Sequence, residues 1–216
     1  MTKHELIYLI SDFSKHRNIF HSESDFQLEF GMYLIKNHFE VRLEKGFKQI
    51  GIYDKIELDI ELNGCIAIEL KYKTSYFKEE IGDESFELKQ HGATNLGRFD
   101  AINDARRVKS LKDSNTTKIK KGFTIFLTNE VDYWSNNAER TMSKDFNLTE
   151  ERILKKGEIL DWKSKSPNIK SVSKKRIPPF TPVNIDFNDV INWVEFSKIG
   201  NSKSGRFRFF VLDVNN

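Results

Sequence analysis

A single cysteine, Cys65, stands in 216 residues, so no internal disulfide can form and the stapled secreted classes are excluded. Proline is scarce, with four residues, and glycine numbers 11, which removes collagen-like and low-complexity architectures. No apolar run approaches the roughly 18 residues that a membrane-spanning helix needs. Nor does one sign of charge dominate: Lys+Arg 35 against Asp+Glu 32 leaves +3, too little to name a partner. The opening MTKHELIYLI carries Glu5, is followed by Asp12 and lacks a small-residue cleavage site, so it does not read as a signal peptide. The expectation is a soluble, cytoplasmic protein with no membrane partner.

What is plentiful is phenylalanine, 18 residues of it, so much of the core must be aromatic. Thr2 and Glu5 form a capping-box pattern that opens a helix with Leu6, Ile7, Ile10 and Phe13 at helical spacing. A second helix starts at Ser22 or Ser24 and runs to about His38, with Phe26, Phe30, Tyr33 and Leu34 on one stripe. Strand-like alternation follows in Val41–Glu44 and again in Ile56–Lys73. Glu79 to Glu84 reads as an acidic loop, Arg98–Lys112 as a longer helix and Gly122–Thr128 as a buried strand. Residues 129–158 predict only short helical turns. All four prolines fall in a basic stretch at about 163–182, which reads as an exposed loop. Two last elements lie around Val190–Phe196 and Phe207–Val214. The order of elements predicts one α/β domain over residues 1–216, built on a mixed sheet flanked by helices.

Residues 56–73, IELDIELNGCIAIELKYK, carry the functional reading. Ile56, Leu58, Ile60 and Leu62 are expected on one face and Glu57, Asp59 and Glu61 on the other. After the turn, Ile66, Ile68, Leu70 and Tyr72 form the apolar set, opposite Ala67, Glu69, Lys71 and Lys73. A two-residue Asn63-Gly64 turn would mix the faces. A three-residue connection through Cys65 pairs Leu62 with Ile66 and Ile60 with Ile68, so burial selects it. That register sets Asp59 opposite Glu69. Two carboxylates about 5 Å apart at an effective dielectric near 20 repel by about 3 kcal/mol. A proton, the Lys71 ammonium or a divalent cation must relieve this, and Mg²⁺ prefers such oxygen ligands. The plainer alternative is that these charges form the wet face of an amphipathic hairpin.

Asp59, nine intervening positions and then Glu69-Leu70-Lys71 on a hairpin resembles the PD-(D/E)XK nuclease superfamily. Leu58 stands where the motif has proline, a departure that touches no catalytic group. Glu29 matches the acidic residue that many members carry on the preceding helix. The likeness continues through LKQHGATNLGRFDAINDARRVKSL and GFTIFLTNEVDYW to the late aromatic segments, and points to a little-characterised bacterial branch. It implies a restriction-endonuclease-like fold and metal-dependent phosphodiester cleavage of DNA. Asp59 and Glu69 would be metal ligands, with Glu29 and the Leu70 carbonyl as further ligands and Mg²⁺, or Mn²⁺, as the ion. Lys71 would orient the attacking water, completing a catalytic set of Glu29, Asp59, Glu69 and Lys71. The alternative is a catalytically inactive nucleic-acid-binding or assembly protein that keeps the fold. A homodimer would suit cutting of both strands, with nothing in the residues to show a two-fold interface.

Arg98, Arg106, Arg107 and Lys109 crowd one helix, a cluster able to neutralise backbone phosphates, although a solvated helix with Asp–Arg pairs explains it equally. Gln90, His91 and Asn95 precede it and are candidates for phosphate or base contacts. The histidines have no zinc spacing. Gly200 to Arg206 mimics a P-loop but has arginine where lysine is required and precedes a strand, so it reads as a turn. Trp134, Trp162 and Trp193 are expected in the core or at its edge.

Overall fold

The computed structural model describes residues 1–135, 142–163 and 182–215. Helix α1 (Lys3–Phe13) begins on the expected capping box, Thr2 and Glu5 each bonding the other's backbone N–H, and buries Leu6, Ile10 and Phe13. Helix α2 (Glu23–Lys36) is capped by Ser22, whose hydroxyl accepts from Asp25 N–H, and buries Phe26, Phe30, Tyr33 and Leu34. Strands β1 (Val41–Ile50), β2 (Tyr53–Leu62) and β3 (Ile66–Lys73) form a meander. A separate hairpin of β4 (Phe77–Ile81) and β5 (Glu84–Leu88) takes the place of the acidic loop. Helix α3 (Thr94–Asp113) then leads into β6 (Lys121–Thr128).

The C-terminal half adds two short ladders, β7 (Ile153–Leu154) with β10 (Asp189–Val190), and β8 (Ile159–Leu160) with β9 (Val183–Asn184). β11 (Val194–Lys198) and β12 (Arg206–Asp213) complete a six-stranded sheet in the order β1-β2-β3-β6-β12-β11. Among the described residues only β3 and β6 run parallel, and the chain between them supplies the crossover that α3 occupies. The protein is therefore mixed α/β. The segment from Gly200 to Gly205 is a turn before β12, as expected. The basic proline-containing stretch falls almost wholly outside the described residues. Among the described residues, no helix is long and apolar enough to cross a membrane.

Each face of the sheet has its own core. Beneath α1 and α2 lie Phe13, Phe20, Phe26, Phe30, Phe207 and Phe209. Beneath α3 lie Phe99, Phe126, Phe146, Trp162, Trp193 and Phe210. Trp134 packs on Trp193 at 5.4 Å between ring centroids, so the tryptophans are core and edge aromatics.

The apolar set of β2 does not stay on one face, contrary to expectation. Ile60 and Leu62 join the core under α1 and α2, whereas Ile56 and Leu58 join that under α3. The change falls at Asp59. Opposite it on β1, Glu44 has φ 52°, and the β1–β2 pairing skips both residues. A non-glycine residue in the left-handed region costs on the order of 1 kcal/mol, so the surroundings must hold it there.

Candidate active site

The three-residue connection forms as expected, with Ile60 opposite Ile68, Glu61 opposite Ala67 and Leu62 opposite Ile66. There the β2–β3 ladder ends and the strands part. Beyond that point β3 still bonds β6 on one side, and its other edge needs acceptors. Side chains supply them in sequence. Leu70 N–H donates to Asp59 Oδ2 at 2.6 Å, Tyr72 N–H to Glu23 Oε2 at 2.7 Å and Thr74 N–H to His91 Nδ1 at 3.0 Å. The period of two along a strand explains the spacing of these donors. Splitting of the sheet thus gathers carboxylates from β2 and α2 beside Glu69 and Lys71.

α3 contributes the rest. Asp104 lies on its apolar side among Ala101, Ala105 and Val108, and is buried with its carboxylate facing β3. Lys71 Nζ stands 3.4 Å from Asp104 Oδ2 and 3.7 Å from Glu23 Oε1. Arg107 Nη1 bridges Glu69 Oε1 at 2.8 Å and Asp104 Oδ1 at 3.0 Å, while Nη2 donates to the Glu57 carbonyl. Glu69 Oε2 and Asp104 Oδ2 are buried and accept no hydrogen bond. Four carboxylates (Glu23, Asp59, Glu69 and Asp104) therefore face two cations, Lys71 and Arg107.

Electrostatics follow from that imbalance. Burial pushes the Asp59 carboxyl up to about 7, with Glu23 and Asp104 adding to the effect against the Leu70 bond and the Lys71 ammonium. Burial also raises Glu69 well above the ordinary glutamate range, and Asp104 and Asp59 raise it further. Burial opposes the charge on Lys71, but Asp104, Glu23, Glu69 and Asp59 outweigh it and raise its pKa above the usual lysine value. Lys71 is a permanent cation here, suited to orienting an anion or water and not to accepting a proton.

No family model matches the chain, and neither a curated protein nor a solved structure matches it. Function must be read from the geometry.

The structure brings Asp59, Glu69, Leu70 and Lys71 together but not in the expected pairing: the ladder ends at Ile60–Ile68, so Asp59 is not paired with Glu69 and accepts from Leu70 N–H instead, while Glu29 is separated from all four. Glu29 lies two positions after Gln27, about 200° round the helix. It borders a different groove with Asp12, His16, Arg17 and Tyr33. The helix-borne carboxylate at the site is Glu23, six residues earlier, which the apolar stripe gave no reason to choose over Glu29. Asp104 was also missed, although an acid among the apolar positions of its helix was the available signal.

The nucleic-acid candidates divide. Arg98 is buried, its guanidinium donating to the Asp132 carbonyl at 2.5 Å, and Lys109 is buried and paired with Asp113, so neither offers a surface cation. The apolar stripe of α3 turns both inward. Arg107 faces the carboxylates instead of solvent, and Arg106 is half-buried. Asn95 Oδ1 accepts from Ser143. Gln90 is exposed. His91 borders a groove of about 420 Å³ with His21, Ser22, Lys73, Thr74 and Lys89, which runs from Glu23.

Among the described residues, no group of three or more His, Cys, Asp and Glu side chains stands ready to hold a metal ion. The donors nevertheless suit one. They are carboxylate oxygens, as hard divalent cations prefer, and Glu69 Oε2 is buried without a hydrogen bond.

Proposed function

We propose that this chain is a Mg²⁺-dependent deoxyribonuclease with a restriction-endonuclease-like fold, of the PD-(D/E)XK type. The observation that carries the reading is the convergence of Asp59, Glu69 and Lys71 where β2 and β3 part, with a buried oxygen of Glu69 left unpartnered. Asp59, Glu69 and the Leu70 carbonyl would hold the ion, Mg²⁺ or Mn²⁺. Bound there, it would offset charge on the scissile phosphate and make water a better nucleophile. The chain's own part is positional. The Lys71 ammonium, held between Glu23 and Asp104, points a fixed positive charge at the water or at a phosphate oxygen. Burial keeps bulk water from weakening that field. Lys73 and Lys89 in the adjoining groove supply cationic contacts for the strand that leaves the site, with His91 beside them.

Plasmid nicking tests this reading. Supercoiled DNA should be nicked in Mg²⁺ and spared in EDTA, and Lys71→Ala should slow nicking by about 100-fold or more. Nicking at the native rate by Lys71→Ala, or its persistence in EDTA, would overturn the proposal.

One observation favours the second reading, a protein that keeps the fold and binds nucleic acid without cutting it. Arg107 already neutralises part of Glu69 and Asp104. Such a protein would bind DNA with salt-sensitive affinity in EDTA and show no nicking at any Mg²⁺ concentration.

A further inference from the structure

Arg107 holds its two carboxylates in an unusual way. A guanidinium ordinarily engages one carboxylate through a two-pronged fork. Here one nitrogen, Nη1, is shared between Glu69 and Asp104, and Nη2 turns to the Glu57 carbonyl. The second oxygen of each carboxylate is consequently buried without a hydrogen bond. Both residues are more than nine-tenths buried. A bridging point between oxygens of different carboxylates is the position a divalent cation takes, and it satisfies more of them than one N–H can.

Position makes the two occupants exclusive. Arg107 Nη1 already sits between Glu69 Oε1 and Asp104 Oδ1, at 2.8 Å and 3.0 Å, where an ion bridging the same oxygens would lie. Such an ion can bind only if a side chain leaves. Arg107 is the one suited to leaving, because its side chain retains 23% exposure whereas those of Glu69 and Asp104 retain 5% and 9%. Its departure would leave four carboxylates facing Lys71 alone, which a divalent ion would offset better than the single charge it replaces.

We propose that Glu69 and Asp104 form a divalent-cation site masked by Arg107, with Asp104 a metal ligand and the Arg107 guanidinium a resident counter-ion displaced when the ion binds. This rests on the metal-dependent reading above and adds to it a ligand from α3 and a barrier to loading. Metal affinity of the free protein is then held low by competition within the chain. A phosphodiester offers the displaced guanidinium a new partner, so nucleic acid and metal should each strengthen the other's binding.

Titration of the full chain with Mn²⁺ alone, followed by its electron paramagnetic resonance signal, provides the test. Arg107→Gln should bind Mn²⁺ about tenfold or more tightly than the native protein, since a unit charge is removed from the ion's position. Arg107→Lys, which keeps the charge, should stay near the native affinity, and Asp104→Asn should weaken binding in both the native and the Arg107→Gln backgrounds. If Arg107→Gln is too unstable alone, its melting temperature should rise more with Mn²⁺ than that of the native protein. Equal Mn²⁺ affinity, or an equal rise in melting temperature, for native and Arg107→Gln overturns the masking. Arg107→Lys binding as tightly as Arg107→Gln also overturns it. In either case the metal-dependent reading survives if Asp59→Asn still abolishes binding. Absence of Mn²⁺ binding in every variant defeats both.

Discussion

The side-chain amide of Gln27 donates to the backbone carbonyl of Asp59 at 2.8 Å and, through the same nitrogen, to Glu44 Oε1 at 2.6 Å. Both acceptors flank the point where β1 and β2 lose their pairing, so α2 replaces the bonds that the sheet gives up. Asp59 is thereby held from three directions: its carbonyl by Gln27, its carboxylate by Leu70 N–H, and its chain neighbours by the cores on either face.

Replacing Gln27 by Leu, of similar size but without a donor, leaves the Asp59 carbonyl unsatisfied. The expected cost is about 1–3 kcal/mol in urea unfolding, together with weaker Mn²⁺ binding because Asp59 is no longer fixed. Gln27→Glu should cost more, since it sets a second carboxylate against Glu44. Native stability and native Mn²⁺ affinity in Gln27→Leu would show that the bond positions nothing.

The raised Asp59 carboxyl makes stability depend on pH. Its ordinary value is 3.8, and the folded protein holds it at about 7. Between those values the folded state keeps a proton that the unfolded chain has released, so stability falls as pH rises through that window. The contribution is fully present below pH 3.8 and lost above about 7. Asp59→Asn can still accept from Leu70 N–H and cannot titrate. In EDTA its stability should decline less than that of the native protein between pH 5 and pH 8, as urea unfolding at each pH would reveal. Parallel profiles would contradict the assignment.

Gly122 sets how closely α3 approaches β6. A Cβ there would lie 2.5 Å from Val108 Cγ1 and 2.8 Å from Val214 Cγ2, and β-branched side chains have little freedom to yield. Gly122→Ala should destabilise the fold by about 1–3 kcal/mol and shift α3, with Asp104 and Arg107, away from Glu69. Calorimetry reads the first effect and Mn²⁺ titration the second; a melting temperature unchanged from native would mean that α3 is not seated as described.

Much of the scaffold was legible because local signals agreed with it. The Thr2–Glu5 box, the Ser22 cap, the apolar stripe of α3 and the run at Gly122–Thr128 each marked an element that formed. The register near Asn63-Gly64-Cys65 was legible for the same reason, since burial tolerates only one. The expected strand Val41–Glu44 stopped short of β1, which runs on to Ile50, because the positive φ at Glu44 breaks the alternation that a strand reading relies on. The β4–β5 hairpin was hidden by its charge: its exposed faces carry Lys78, Glu80 and Glu87, and only Phe77, Phe86 and Leu88 are buried.

The site was half legible. Asp59, Glu69 and Lys71 were singled out by the hairpin pattern together with the resemblance it carries, whereas Glu23, Gln27, Asp104 and Arg107 depend on which helix face meets the sheet. That is a tertiary fact. Arg107 and Asp104 sit three apart, a spacing that a solvated helix uses just as readily, so the one mark of their inward direction was the place of Asp104 among apolar positions.

Anomalous diffraction from crystals grown in Mn²⁺ addresses the metal centre most directly. One ion is expected within coordination distance of the carboxylate oxygens of Asp59 and Glu69, with Lys71 beside it. Saturating Mn²⁺ with no peak there, and Glu69 still bonded to Arg107, would contradict the metal-dependent hydrolase outright.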